Sequence, residues 1–409
     1  MGAEHTILFT SGLLLLAIVV QPLARKIHLP FTVTLVIAGF VASELLVMAG
    51  IDTGVRADSF HDLIFFVFLP VLVFESAYNT NAQLLWRNLF PILFLAIPLM
   101  LLSTLITAVL VYYAIGHPAG FPWIAALLTG ALLSATDPVA VVALLRQMGV
   151  SERLAILMEG ESLFNDATAI VIFSVFLAMA TGMDNPVSVP DATLHFLRVF
   201  FGGILVGVGT GLLFTGLVKL LDEAVIRAVS TVISAYLAFI IAESLLHVSG
   251  VMAVLVTGLI LGKTIRSAAK DTDSGFVQEL WEFNSYVANA LVFLLMGVTI
   301  TLGMFEERWL AMLIGIAGIL IARAAGIFTC VPLLNKTTPI EPIGRPYQVI
   351  LFWGGLRGAV TLALALSLPT TLDYWWTIQS IAFGVVLFTL FVQATSTAPV
   401  LRHYGLTRK

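Results

Sequence analysis

Charge is scarce in this chain. Only 11% of its 409 residues are charged, whereas 59% are hydrophobic and the mean hydropathy is +1.04. A soluble domain carries about a quarter charged residues, so this chain lacks the polar surface needed to face water on all sides. The composition therefore excludes an ordinary soluble globular protein and matches a chain dissolved in a lipid bilayer.

Cysteines and long polar segments are scarce as well. The single cysteine, Cys330, excludes an internal disulfide and a thiol metal cluster. The sequence HExxH is absent, which argues against a zinc protease. No long polar stretch interrupts the apolar runs, so we expect no separate soluble domain. The net charge of −4 says little about partners, and we expect neither a cofactor nor a nucleic-acid partner.

What the chain does contain is a series of apolar runs. A hydrocarbon core about 30 Å thick needs roughly 20 apolar residues per helix, and stretches rich in glycine and proline separate the runs. We therefore predict an all-α polytopic membrane protein with thirteen transmembrane helices. The runs lie at about 6–24, 30–50, 60–78, 89–115, 123–145, 154–180, 196–218, 228–247, 250–262, 283–303, 309–333, 347–368 and 376–398.

Positive charge is distributed unevenly over the loops between these runs. With the N-terminus outside, the cytoplasmic loops hold 15 of the 20 Lys and Arg residues and the outer loops hold 3, while Arg323 and Arg357 lie inside predicted helices. Cytoplasmic loops carry an excess of Lys and Arg. The pattern predicts a multi-pass protein of the cell membrane with an outer N-terminus and a cytoplasmic C-terminus.

Six ionisable residues are the candidates for charge in the middle of the predicted spans. They are Glu75, Asp137, Glu161, Asp166, Arg323 and Arg357. A charge at mid-membrane costs about 2.5–3.5 kcal/mol on insertion scales, so each one needs a reason. If both arginines are paired, two of the four carboxylates are left without a protein countercharge. Burial favours the neutral form of a carboxyl group and a bound cation favours the ionised form, which indicates a group that holds either a proton or a metal cation.

Polar groups are concentrated in the segment MEGESLFNDATAIVI, which leads into an apolar run. Residues four apart lie on one face of a helix. Ser162 and Asp166 therefore form one stripe, whose oxygens suit a hard cation. Glu161 and Asn165 form the neighbouring stripe, which suits an arginine partner and a positioning amide. Glu159 lies nearest the cytoplasmic end, where we expect it to shape the entrance.

Two of the predicted spans are interrupted. Pro138 cannot donate to the helix ladder and disfavours the helical conformation of the residue before it, so the backbone at Thr136 and Asp137 is expected to unwind. The glycines of GGLRG weaken a second span around Arg357, seven spans later. An odd offset reverses the direction across the membrane, and two interrupted helices in opposed repeats indicate a transporter site at the midplane. Arg357 could neutralise the facing helix ends or could be purely structural.

The chain resembles the monovalent cation/proton antiporters of the NhaP and eukaryotic sodium/proton exchanger type. The similarity covers nearly the whole chain in a consistent order. The segments that carry it are ATDPVA (135–140), GESLFND (160–166), GGLRGA (354–359), IAR (321–323) and FLPVLVFESAY (68–78).

This resemblance implies the NhaA/NapA-like antiporter fold, with inverted repeats and two crossed, unwound helices. It also implies a homodimer in which a mobile core moves like an elevator against a dimer domain. The implied division is 1–85 for N-terminal helices of largely the dimer domain, 86–182 for core helices four to six, 183–225 for linker helix seven, 226–304 for dimer-domain helices eight to ten, and 305–409 for core helices eleven to thirteen.

The resemblance also implies a role for each polar group. It makes Asp166 the carboxylate that binds sodium or a proton, with Asn165 as its partner. Glu161 would pair with a core arginine, Arg323 in preference to Arg357, a choice that the sequence alone leaves open. Asp137 and Ser162 would hold sodium together with Asp166. The further implied ligands are the Thr136 backbone and, through water, Glu75.

The implied function is secondary transport, not enzymatic catalysis. We expect exchange of sodium (or lithium) for protons, and Asn165, where other branches have Asp, resembles the electroneutral branch with one proton per cation. A potassium/proton antiporter of the same fold is the alternative. A channel and an intramembrane aspartyl protease are weaker alternatives, since the YD and GxGD sequences of the latter are absent. The chain stops shortly after the last span, so we expect a prokaryotic membrane and no regulatory calcium-binding partner.

Overall fold

The structure is a computed structural model, and all regular structure in its described residues is helical. This confirms the all-α prediction, since a chain in lipid must satisfy its backbone hydrogen bonds within itself. The described residues are 3–27, 30–48, 63–115, 120–181, 189–220, 223–268, 271–337 and 341–406.

The α-helices of the described residues are numbered along the chain. They are α1 (Ala3–Ile27), α2 (Phe31–Met48), α3 (Leu69–Asn79), α4 (Ala82–Arg87), α5 (Leu89–Phe94), α6 (Met100–Ala114), α7 (Trp123–Ser134), α8 (Val139–Gln147), α9 (Glu152–Ala180), α10 (Val189–Leu220), α11 (Ala224–Ile240), α12 (Gly250–Ala268), α13 (Asp271–Thr299), α14 (Leu302–Ala325), α15 (Val331–Thr337), α16 (Arg345–Trp353), α17 (Ala359–Leu366), α18 (Trp375–Phe388) and α19 (Thr395–His403).

Short π-helical turns extend or join several of these helices. Leu63–Phe68 leads into α3, Leu95–Leu99 joins α5 to α6, and Ile241–Leu245 extends α11. Gly326–Cys330 joins α14 to α15, and Thr389–Ala394 joins α18 to α19. Each joined pair therefore forms one continuous helical stretch.

The helical stretches support a protein that crosses the membrane several times. In the described residues, seven stretches are long and apolar enough to span a bilayer, and three more are shorter but apolar, at Leu8–Ala24, Phe31–Leu46 and Leu63–Asn79. Each of the thirteen predicted runs overlaps, in its described part, one helical stretch or, for the runs 123–145 and 347–368, two half-helices with a gap between them. The number of crossings stays a prediction, because length and composition alone identify fewer spans.

Several helices extend beyond the predicted apolar runs, and two of these extensions are polar. The run 250–262 corresponds to α12, which continues past Arg266 to Ala268. The run 283–303 corresponds to α13, which begins at Asp271 and carries Gln278 in its first half. Hydropathy misses both extensions because they hold polar side chains, and those of Arg266 and Gln278 line an internal cavity.

The helices pack in two groups. In one group α2 packs on α13, and α12 packs on α3, α10 and α11. In the other group α6 packs on α7 and α14, while α18 packs on α14 and α9 packs on α7. The groups meet where α9 contacts α3, α10 and α12, and where α17 contacts α13. Helix α9, which carries the polar segment singled out in the sequence, therefore lies at the boundary between the groups.

Candidate ion-binding site

The two interrupted spans contact each other at their interruptions. Four residues separate α7 from α8, and five separate α16 from α17. The backbone N–H of Asp137 in the first gap donates to the carbonyl of Leu356 in the second at 2.9 Å. The guanidinium of Arg357 donates to the carbonyl of Ala135 at 2.7 Å. The gaps thus satisfy each other's backbone groups, as unwound backbone at membrane depth requires.

The carboxylate of Asp137 lies between the N-termini of two half-helices. It accepts a hydrogen bond from the N–H of Val139, which begins α8, at 3.2 Å, and another from the N–H of Ala359, which begins α17. A side chain at Gly358 would collide with this carboxylate, so glycine is needed there. Helix N-termini stabilise negative charge. The carboxylate of Asp137 is therefore held in place by backbone N–H groups of both half-helices.

Arg357 lies at the C-terminal end of α7, the first half-helix of the first broken span. Its side chain is 1% exposed, and the Ala135 carbonyl that it contacts lies just beyond the C-terminus of α7. The C-terminal end of a helix carries partial negative charge and is stabilised by a cation. This geometry fits the role of neutralising a helix end.

Glu161 lies against Arg323. Two parallel contacts join the carboxylate to the guanidinium, at 2.8 Å and 3.2 Å, and both side chains are buried. Arg323 also donates to the carbonyl of Leu351 from Nε at 2.9 Å and from Nη2 at 2.7 Å. Gly355 leaves the room for this guanidinium, which any Cβ at that position would meet. The pair ties α9 to α14 and to the last turn of α16, and it lies apart from the carboxylate of Asp166.

Ser162 connects the unwound backbone to Asp166. Its hydroxyl donates to the carbonyl of Thr136 at 2.5 Å and lies 3.4 Å from Oδ2 of Asp166. Oδ1 of Asp166 is buried and has no hydrogen-bond partner among the described residues. Carbonyl, hydroxyl and carboxylate oxygens therefore converge on one point, and one of them is unsatisfied.

Asn165 supports this arrangement from the neighbouring stripe of α9. Its amide nitrogen donates to the carbonyl of Ser134 at 3.0 Å and lies 3.4 Å from the hydroxyl of Thr136. Ser134 is the last residue of α7, so its carbonyl has no partner within the helix. Asn165 therefore caps the broken helix and contacts the side chain of Thr136.

A cavity of about 850 Å³ leads to these oxygens. Its inner wall includes Asp137, Ser162 and Asp166. The facing wall includes Glu75 of α3 and Ser285 and Asn289 of α13. The cavity also reaches Arg146, Glu159, Lys263, Arg266 and Glu282. An ion of the size of sodium therefore has an open path to Asp166 along α9.

Glu75 takes part in the cavity wall but not in the cluster around Asp166. Its two carboxylate oxygens accept hydrogen bonds from Asn79 at 2.7 Å and from Ser285 at 3.4 Å. The resemblance implies a contact through water, which is compatible with a position across the same cavity. Asn79, four residues after Glu75, could have been found from helical spacing. Ser285 carries no such signal because it lies 210 residues away.

The donor set suits a hard monovalent cation as the transported substrate. Oxygen ligands from carboxylate, hydroxyl and carbonyl groups favour alkali and alkaline-earth cations over transition metals. No cluster of three or more His, Cys, Asp or Glu side chains arranged to hold a metal occurs in the part of the chain that the structure describes.

The all-helical membrane fold contains two broken helices in contact, a polar cavity and a carboxylate with one oxygen that lacks a hydrogen-bond partner among the described residues. These features define the class of secondary transporters. The sequence model described as sodium/hydrogen exchanger, transmembrane, matches residues 12–403. The chain belongs to this family of monovalent cation/proton antiporters, and it is a multi-pass membrane protein.

Similar proteins bear sodium/proton antiporter names. The Na(+)/H(+) antiporter ApNhaP of Aphanothece halophytica is 38% identical over 380 residues, which cover 93% of this chain and 70% of that protein. The antiporter NhaH of Halobacillus aidingensis is 30% identical over 407 residues, covering 97% and 98%. The solved structure of the sodium proton antiporter MjNhaP1 from Methanocaldococcus jannaschii at pH 8 matches with a TM-score of 0.84 at 22% identity, over 98% of both chains. The fold is therefore shared with a solved antiporter.

Proposed function

We propose that this chain exchanges sodium, or lithium, for protons, and that the two ions compete for Asp166. The observation that carries the proposal is the set of oxygens at the inner end of the cavity. The Asp166 carboxylate and the Ser162 hydroxyl line the cavity there, the hydroxyl also contacts the Thr136 carbonyl, and one carboxylate oxygen is unpartnered among the described residues. A cation or a proton satisfies that oxygen, and one carboxylate has no room for both charges.

The contrast between the two aspartates supports Asp166 as the exchanging group. The carboxylate of Asp137 already accepts hydrogen bonds from the N–H groups at two helix N-termini. Among the described residues, the hydrogen-bonding group in contact with the Asp166 carboxylate is the hydroxyl of Ser162, and that hydroxyl already donates to Thr136. Asp166 is thus the carboxylate whose charge depends on an incoming ion.

A 1:1 stoichiometry follows if Asp166 alone changes its occupancy. Asn165 carries no charge, Glu161 is neutralised by Arg323, and Asp137 is taken to keep the same protonation state throughout the cycle. One proton then leaves for each cation that enters. A tenfold ion gradient and one pH unit are each worth about 1.4 kcal/mol, so the direction of exchange follows the larger gradient.

Alternating access would come from movement between the two groups of helices. We assign residues 86–182 and 305–409 to a moving core and residues 1–85 and 226–304 to a stationary dimer domain, with 183–225 as the link. The main packing contacts lie within the groups, and α9 carries the site along their boundary. A core whose site is filled differs little in energy between its two orientations, so occupancy permits the movement. Homodimer formation belongs to the same proposal.

The names of the relatives favour sodium over potassium as the transported ion. ApNhaP, NhaS1 of Synechocystis and NhaH are each described as Na(+)/H(+) antiporters. No feature of the described site specifically favours potassium over sodium.

Asp166→Asn in sealed proteoliposomes tests the proposal. We expect the variant to lose sodium-dependent proton movement, because an amide binds neither ion as a charged ligand. In the wild-type protein the apparent KM for sodium should rise as the pH falls, because protons then occupy more of the carboxylate. Proton movement is followed with a pH-sensitive dye inside the vesicles while external sodium is varied.

Glu306→Gln is the matched control. It removes one carboxylate from α14 at an exposed position outside the cavity, and it should leave exchange unchanged. Near-wild-type exchange by Asp166→Asn, or a sodium KM that does not vary with pH, would contradict the proposed function.

A further inference from the structure

One charged pair in the cavity has no part in the exchange mechanism. Glu159 lies seven residues before Asp166 on α9, with Ser162 between them, and all three side chains line the cavity. Seven residues make two helical turns, a rise of about 10 Å at about 1.5 Å per residue. Glu159 is therefore on the same face of α9 as the ion site, two turns along the path that leads to it.

Arg146 neutralises Glu159. Its Nη2 lies 2.6 Å from Oε1 of Glu159, whose side chain is 16% exposed, while the Arg146 side chain is 50% exposed. Nε of Arg146 also lies 3.9 Å from Glu152. Arg146 sits in the last turn of α8, the half-helix that begins just after Asp137. The pair thus links the two helices that carry the aspartates of the site.

The other charged groups along the cavity balance one another. Lys263 and Arg266 come from α12, while Glu75 comes from α3 and Glu282 from α13. Two positive and two negative side chains leave this part of the wall without net charge. A change of one unit of charge at the Arg146–Glu159 pair is therefore not masked by a large excess of either sign.

We propose that the Arg146–Glu159 pair sets the sodium affinity of Asp166 by electrostatics. The proposal rests on the function proposed above and adds a regulatory element to the same site. Glu159 alone attracts cations toward Asp166, and Arg146 alone repels them. When Arg146 and Glu159 are paired, the sodium affinity of Asp166 lies between these two limits. The Arg146 side chain is half exposed. A substitution at Arg146 therefore changes its contact with Glu159 without disturbing the buried core.

A cycle of charge variants tests this inference. The apparent KM for sodium is measured in proteoliposomes at alkaline pH, where protons compete least, for Arg146→Gln, Glu159→Gln and the double variant. Two unit charges about 10 Å apart in a water-filled cavity change affinity about two- to fourfold. Glu159→Gln should raise KM by that factor and Arg146→Gln should lower it. The double variant should return near the wild-type value, because it restores the net charge.

Added choline chloride should shrink both single-variant shifts by screening. A pair that only holds α8 against α9 gives a different pattern. Both single variants would then change KM in the same direction or lose thermal stability, and the double variant would not recover. That pattern overturns the proposal, as does a sodium KM unchanged in all three variants.

The reversed pair Arg146→Glu with Glu159→Arg keeps the inference falsifiable if a single variant fails to fold. It retains the neutral pair and should keep KM near wild type; a large shift in KM would count against the proposal. Asp166→Asn is assayed in parallel. Exchange in that variant overturns the proposed function itself, whatever the Arg146 and Glu159 variants show.

Discussion

At the scale of single residues, two aspartates 29 positions apart differ through their surroundings. Asp137 receives N–H groups from two helix ends, whereas Asp166 receives one shared hydroxyl and keeps an unsatisfied oxygen. The proposed function therefore gives the same side chain two roles, a fixed hydrogen-bonded group in one place and an exchangeable ligand in the other. Local hydrogen bonding, not residue type, assigns the roles.

Helical spacing was enough to predict much of this cluster. The positions of Ser162 and Asp166 on one stripe and of Asn165 on the next agree with the contacts described for α9. The partner of Glu161 could not be chosen from spacing, because both candidate arginines are distant in sequence. The structure places Arg323 there, 162 residues away, through the packing of α14.

Glu161→Gln should strongly destabilise the protein. It leaves the buried guanidinium of Arg323 without its charge partner, and breaking a buried ion pair costs about 3–5 kcal/mol. The melting temperature of the purified protein in detergent measures the effect. Glu306→Gln, which removes an exposed carboxylate, should melt like the wild type.

The double variant Glu161→Gln with Arg323→Gln distinguishes charge from packing. Removing both charges should recover part of the lost stability, since no unpaired charge stays buried. Wild-type melting of Glu161→Gln alone would show that the pair does not stabilise the core.

At the scale of helices, the two interruptions are one structural unit. Proline ends the first half-helix and glycines end the second, and each gap supplies hydrogen-bond partners to the other. The sequence predicted both gaps from Pro138 and from GGLRG. It could not show that the gaps touch, because contact between distant segments depends on the packing of α7 and α9 with α17. The polar extensions of α12 and α13 were missed for a related reason, since they face a cavity and not lipid.

Gly358→Ala should abolish exchange. A methyl group at this position would meet the Asp137 carboxylate and push it away from the helix ends that hold it. The rate of sodium-dependent proton movement in proteoliposomes is the measurement.

Gly216→Ala is the matched control in α10, where a Cβ would meet nothing within 4 Å. Alanine is better than glycine in a helix by about 0.5–1 kcal/mol, so this variant should be active and at least as stable as the wild type. Normal exchange by Gly358→Ala would mean that the contact between the two gaps tolerates displacement of Asp137.

At the scale of the whole molecule, composition and the spacing of apolar runs predicted a polytopic helical protein, and the described residues are helical throughout their regular structure. Hydropathy predicts the order of the helices along the chain but not which helices pack against each other. The arrangement of α9 between two packed groups therefore could not be read from the runs. Only the resemblance to known antiporters predicted a division into two domains.

Exchange by the whole protein should be insensitive to membrane voltage. One proton for one monovalent cation moves no net charge per cycle, whereas each net charge would be worth about 2.3 kcal/mol per 100 mV. Proteoliposomes clamped with valinomycin at several potassium potentials give the sodium gradient at which proton flux reverses. We expect the reversal to stay where the sodium and proton gradients balance. A reversal point that moves with voltage would contradict 1:1 exchange.

The amide of Asn165 has a consequence for how such a protein could evolve. Its N–H group caps the carbonyl end of α7 at Ser134, a contact that an ionised aspartate cannot make because it has no hydrogen to donate. An aspartate at this position would have to retain a proton or release the cap. A lineage that gains a second proton-carrying carboxylate at position 165 must therefore first acquire another hydrogen-bond donor for the C-terminal end of α7. The number of protons exchanged per cation and the stability of the fold would then change together.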